Sequence, residues 1–194
     1  MNNYEYIIAG LPVLSYDWKA ASGMDPDEVV GDIRQLLGEK DNALVDILEA
    51  GFDESRLSEE FYREALGSRN SFLRQYFAFD LDKRNAKVRF LNKALGRESG
   101  QDIFMDDVLP FEGENEIAAA LASGDILERE RALDDITWKK IDAITTFDYF
   151  DIDAVMAFIA KLKIVGRWLA LDEETGREMF RKLAAEVKGS YKIN

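Results

Sequence analysis

From Asn70 to Leu95 the chain runs without glycine or proline (NSFLRQYFAFDLDKRNAKVRFLNKAL). Within it Leu73, Phe77, Asp80, Arg84, Val88, Leu91 and Leu95 recur at steps of three and four. Residues so spaced share one face of an α-helix, and the stretch predicts a single long helix closed by Gly96, against which everything else must pack. That face is apolar at its ends and polar in its middle, where Asp80 and Arg84 stand one turn apart. The acid-before-base order stabilises a helix by roughly 0.2–0.5 kcal/mol. Buried in an apolar face, such a pair is costly to desolvate, so it speaks for register or partner specificity more than for stability.

The remaining elements are read from caps and punctuation. Tyr4 to Leu14 is apolar without a clean period and is broken by Gly10 and Pro12, which suits a short extended or helical segment buried under the rest. Asp25-Pro26-Asp27-Glu28 is a helix start, with Asp as cap and Pro at the first helical position. Val29, Ile33, Leu36 and Leu37 form its stripe, and Gly38 ends it. Short helices follow from Asp41 to Ala50 and from Ser58 to Leu66, each closed by a glycine. Beyond an acidic stretch come a helix from Glu116 to Ala122, a longer one capped by Asp125 and running to Thr145, one from Ile152 to Leu169 capped by Asp151, and a last from Asp172 or Glu173 to Lys188.

No period-2 run and no Asn-Gly turn signals a hairpin, so the chain is predicted all-α, an irregular bundle of about eight to nine helices. The glycine-punctuated acidic stretch divides it into an N-terminal helical half (1–97), a connecting loop (98–115) and a C-terminal helical half (116–194), expected to pack as one unit. Phe79-Asp80-Leu81-Asp82 and Phe150-Asp151-Ile152-Asp153 echo one another and hint that the halves are alike.

Composition removes whole classes of chemistry. Among 194 residues there is no His and no Cys. That excludes Ser-His-Asp and Cys-His constellations, thiol nucleophiles, disulfides and His- or Cys-ligated zinc. No G-x-x-x-x-G-K-[ST] or G-x-G-x-x-G occurs, so no phosphate loop for a nucleotide is expected. No apolar run approaches the ~20 residues of a membrane span, and the start lacks a basic leader. A cytoplasmic protein is expected, one that sits at a membrane only through a complex.

The net charge of −13 argues against nucleic acid, whose phosphates need Lys and Arg. It is also unevenly placed. Residues 63–97 hold 9 basic and 3 acidic residues, whereas 98–158 hold 4 and 16. The long helix is a basic island in an acidic chain, able to pair with its flanks or to face a partner.

Three stretches together resemble the C subunit of V-type and A-type ATPases, called subunit d in eukaryotes. Asp82-x-x-Asn85-x-Lys87, followed by Val88, Arg89 and Leu91, resembles that family's Asp-x-x-Asn-Leu-Lys pattern on a core helix. Phe150 to Leu171 resembles its late stretch, in which an acidic start leads into an apolar helix and then an Asn-Leu-Arg segment, with Arg167 at the arginine. Tyr4 to Ser15 (YEYIIAGLPVLS) is similar to an uncharacterised bacterial family that itself resembles the C subunit, and whose genes typically lie among those for a V-type ATP synthase. The chain departs from the C-subunit pattern in length, at Asn85-Ala86-Lys87 and at Val165-Gly166-Arg167.

The resemblance implies a non-catalytic subunit, a helical socket coupling the central rotor stalk to the membrane ring, with stalk and ring subunits as partners and no cofactor. Asp82, Asn85, Lys87, Arg89, Lys93 and Arg167 are then the candidate partner-binding residues. A stand-alone helical interaction module is the alternative. Asp148, Asp151 and Asp153 raise a third possibility, a carboxylate and divalent-metal enzyme, but acids at a helix start are first of all caps. Glu112, Glu114 and Glu116 read as solvated. Phe72, Tyr76, Phe77, Phe79, Trp138 and Trp168 read as core.

Overall fold

The computed structural model describes residues 3–15, 23–105 and 110–171. Its described residues form eight helices and no strand: α1 (Tyr4–Ala9), α2 (Pro26–Leu36), α3 (Glu39–Ala50), α4 (Glu59–Leu66), α5 (Ser71–Leu95), α6 (Glu114–Leu121), α7 (Ile126–Ile144) and α8 (Ile152–Ala170). The protein is an all-α multi-helix bundle. The helix expected from residue 172 to Lys188 lies outside the described residues, as do 106–109 of the acidic loop.

The caps sit where the residue types put them. Asp25 accepts from the backbone N–H of Asp27 and Glu28, Ser58 from Phe61, Asn70 from Leu73 at 2.8 Å, Asp125 from Leu127 and Glu128, and Asp151 from Ala154. Each satisfies amides that a helix start leaves without partners. Two boundaries differ from expectation: α6 begins at Glu114 rather than Glu116, and the junction of α2 and α3 is shifted. Leu37 closes α2 in an extended conformation, and Gly38 serves as the N-cap of α3, which begins at Glu39 rather than Asp41.

The core belongs to the first half of α5 and to α8. Phe72, Leu73, Tyr76 and Phe77 are 0–3% exposed. They pack with Val45 and Leu48 of α3, Tyr62 of α4, and Met156, Ile159, Ala160 and Leu162 of α8 in one cluster. Phe77 meets the ring edges of Phe61, Tyr62 and Tyr76 at 5.0–6.4 Å between centres. α8 touches α1, α2, α3, α5 and α7, so a helix from late in the chain packs among the early ones. The side of α5 turned toward α6 and α7 carries a smaller cluster of Phe79, Ile117, Leu121 and Leu133.

The second half of α5 departs from its stripe. Leu91 and Leu95 are 49% and 62% exposed, and Val88 is only partly covered. The helix thus leaves the core past its midpoint and becomes one wall of a cleft. The two four-residue echoes also differ in structure: Phe79 to Asp82 lies inside a helix, whereas Asp151 caps the start of another.

Candidate functional site: a charge-lined cleft between α5, α7 and α8

One face of α5, successive at Asp80, Lys83, Arg84, Lys87, Val88 and Leu91, forms a wall of a cleft of about 500 Å³. Tyr62 of α4, Phe104 of the following loop, Asp134 and Thr137 of α7, and Lys163, Ile164 and Arg167 of α8 complete it, with Tyr76 and Phe52 toward the core. The polar interruption of the α5 stripe therefore does not pair with itself in the core but opens into this cleft.

Asp80 illustrates the change. The expected partner was Arg84. Instead Asp80 pairs with Lys83 at 2.9 Å and accepts from the Tyr62 hydroxyl at 2.8 Å. Lys83 reaches on to Thr137 Oγ1 at 3.2 Å. Burial, together with the Asp80 carboxylate, pushes the Tyr62 hydroxyl far above its usual range, so it stays protonated and donates. Arg84 turns the other way. Its guanidinium lies 3.4 Å over the Phe104 ring and donates through Nη1 to the Asp102 carbonyl at 3.1 Å and to Asn85 Oδ1 at 3.3 Å. Loss of water lowers its pKa from the usual arginine value.

Three helices supply like-charged residues four apart: Lys83 and Lys87 on α5, Glu130 and Asp134 on α7, Lys163 and Arg167 on α8. Within one helix such pairs repel. In the bundle they interleave. Lys87 pairs with Glu130 at 3.0 Å, Glu130 lies 3.8 Å from Arg167, and Arg167 pairs with Asp134. Asp134 is 7% exposed and also accepts from Trp168 Nε1 at 2.7 Å. Lys163 pairs with Glu49 at 2.7 Å and Asp27 at 3.3 Å, and Arg34 closes on Glu49 at 2.6 Å. Burial alone would lower the pKa of Lys163, but these carboxylates outweigh it and raise it.

The six residues singled out in sequence fall into three groups. Lys87 and Arg167, far apart along the chain, both line the cleft and share Glu130 as a partner. Asp82, Arg89 and Lys93 lie within about 40° of one another on the helix, roughly 140° round from Lys87 at 100° per residue. There Asp82 and Arg89 are half-buried and Lys93 is exposed. Burial raises the Asp82 pKa, against the pull of Arg89 and Lys140. Asn85 stands apart from both, 1% exposed. Its Nδ2 donates to the Phe104 carbonyl at 3.0 Å and its Oδ1 accepts from the Phe104 N–H at 3.2 Å. Asn85 thus works inside the molecule, tying the loop to α5.

Gly166, where the chain departs from the Asn-Leu-Arg pattern, has a local reason. A Cβ there would sit 3.1 Å from Pro26 Cγ, so glycine lets α8 lie close against the start of α2. Asp151 is spent as the α8 cap and Asp153 accepts from Asn70 Nδ2. No group of three or more acids among the described residues is arranged to hold a metal ion. Glu112 is solvated, its side chain 86% exposed, and Lys140 pairs with it there at 2.6 Å. Lys83, Lys163, Glu130, Asp134, Tyr62 and Phe104 were not singled out in sequence. The like-charged spacings were visible there, and each pair needs opposite charge from another helix.

Residues 110–190 match the model of a family described as a protein of unknown function (DUF2764). The match is less than half of the chain; its described part covers α6 to α8, the α7 and α8 walls of the cleft, and omits α5. No curated protein and no solved structure matches the chain. No helix among the described residues is long and apolar enough to cross a membrane.

Proposed function

We propose that the chain is a non-catalytic subunit of a V-type ATP synthase or ATPase, a helical socket between the central rotor stalk and the membrane ring. One observation carries this reading: Lys87 and Arg167, from two separate stretches that resemble the C-subunit family, both line a concave, charged cleft and share Glu130 as an ion-pair partner. A coupling part transmits force through shape and contact, so it needs a rigid, polar concave surface and no reactive group. Helices cross-linked by ion pairs around a cleft suit that task.

The test is reconstitution of the full chain with V-type central-stalk and membrane-ring subunits, read by co-purification. Association with a stalk or ring subunit, weakened by Lys87→Glu with Arg167→Glu, is the expected result. A chain that stays alone in the presence of both sets overturns the reading.

A second reading, a helical interaction module outside any ATPase, is favoured by the corner between α7 and α8. There Phe147, Tyr149 and Phe150 are 84%, 65% and 60% exposed within five residues. Large aromatics held in water between two capped helices suit a protein contact. Replacing all three with serine separates the readings: loss of stalk or ring binding joins the corner to the ATPase interface, and retained binding leaves it to another partner.

A further inference from the structure

Two polar groups lining the cleft keep hydrogen-bonding capacity that the described residues do not take up. Tyr76 is 3% exposed and its ring stacks on Phe72 with centres 5.7 Å apart, yet its hydroxyl has no hydrogen-bond partner among the described residues. A phenolic hydroxyl so placed at a cleft wall can donate to or accept from a bound molecule. Asp80 and Tyr62, then Asp134 and Arg167, surround it electrostatically, and burial drives its pKa well above the usual tyrosine value, so it is available as a neutral donor or acceptor.

Arg84 is the second. The other cations lining the cleft each have a carboxylate: Lys83 has Asp80, Lys87 has Glu130, Lys163 has Glu49 and Arg167 has Asp134. Arg84 has none within ion-pair distance among the described residues. Its Nη1 is used on Asp102 and Asn85 and its flat face on Phe104, and its Nε–Nη2 edge makes no hydrogen bond to the described residues. That edge is the fork that grips a carboxylate or phosphate with two parallel hydrogen bonds.

On α5 itself Asp80 and Lys83, paired with one another, stand between the two groups, and an apolar wall is supplied by other elements, from Phe52, Leu57 and Ile164. Tyr76 and Arg84 lie eight residues apart on one helix, about 12 Å along its axis. A volume of about 500 Å³ suits a small molecule. We infer that the cleft binds a small, elongated amphiphilic anion. Its carboxylate or phosphate head sits on the Nε–Nη2 edge of Arg84, its body lies along the apolar wall, and a hydrogen-bonding group at its far end meets the Tyr76 hydroxyl. This site does not depend on membership of a rotary ATPase and is tested on the chain alone.

The test is calorimetric titration of the full chain with 3-(4-hydroxyphenyl)propionate and phenyl phosphate, with tyramine as the charge-reversed probe. Circular dichroism melts establish that each variant is folded. Saturable binding of one of the anions and none of tyramine is expected. Arg84→Gln should weaken binding at least about tenfold, and Arg84→Lys, which keeps the charge but loses the fork, about fivefold or more. Tyr76→Phe should cost 3-(4-hydroxyphenyl)propionate about threefold. Lys40→Gln, an equal charge change at an exposed position of α3, should leave affinity unchanged. The inference is overturned by absence of saturable binding of both anions up to about 10 mM, by tyramine binding as tightly, or by Lys40→Gln weakening binding as much as Arg84→Gln.

Discussion

The two halves of α5 are continuous in backbone and opposite in task. From Phe72 to Phe77 the helix is enclosed by aromatic and aliphatic side chains of α3, α4 and α8. From Lys83 to Leu95 it keeps the helical hydrogen bonds but trades apolar partners for Asp80, Glu130, the Phe104 loop and open space. Apolar burial yields roughly 25 cal/mol per Å², while exposed ion pairs yield about 0–1 kcal/mol each. The first half should therefore hold the fold, leaving the second free to be shaped by what it contacts.

The most severe way to break that contrast is Phe77→Ala. The ring is 0% exposed, and its loss should cost about 3–5 kcal/mol in urea unfolding. Leu95→Ala, at 62% exposure, should stay within about 0.5 kcal/mol. Similar costs at the two positions would abolish the distinction. Next comes Asn85→Ala, which leaves the Phe104 N–H and carbonyl without their partner and should cost about 2–3 kcal/mol. It marks the point at which the polar half still contributes to stability, and a cost near zero would mean that water replaces the clamp.

Gly51→Ala sharpens the packed side. A Cβ at Gly51 would overlap the edge of the Phe77 ring, and since that ring is wedged among Phe61, Tyr62 and Tyr76 a loss of about 1–2 kcal/mol is expected from thermal melts. The smallest effect is a pH dependence at the cleft's margin. Burial pushes the Glu49 carboxyl up, but hydrogen bonds from Lys163 and Arg34 outweigh it and hold its pKa below the ordinary value of 4.5. Its contribution is therefore complete above pH 4.5 and fades as pH falls through the lowered pKa. Glu49→Gln should cost roughly 1 kcal/mol at pH 7 and progressively less below pH 4.5. A gap that stays constant with pH would remove Glu49 as the source.

Much of the fold is local and could be read in order along the chain. Asp25-Pro26, Ser58, Asn70, Asp125 and Asp151 mark helix starts through bonds to amides two or three residues on, and Gly96 marks the end of α5 in the left-handed region. Gly38 was misplaced by one role because a glycine can end one helix or begin the next, and only the extended Leu37 decides. The cleft was half legible. Periodicity placed Asp80, Arg84 and Val88 on one face, but Tyr62 and the Phe104 loop, which meet Asp80 and Arg84, come from separations that no local pattern encodes. Sequence order favoured Asp80 with Arg84, and tertiary contacts gave each a better neighbour.

The Asn85 amide holds Phe104 as a neighbouring β-strand would, donor to carbonyl and carbonyl to donor, in a loop where Asp102 and Met105 carry φ angles of 61° and 56°. Residues other than glycine adopt that region sparingly. The Phe104 amide, held by a buried side chain of α5, should therefore exchange its hydrogen with solvent more slowly than those of Gln101 and Ile103, whose bonds stay within the loop's own turns. Its exchange rate would report, at a single position, each moment when the loop lifts from α5 and the cleft loses a wall.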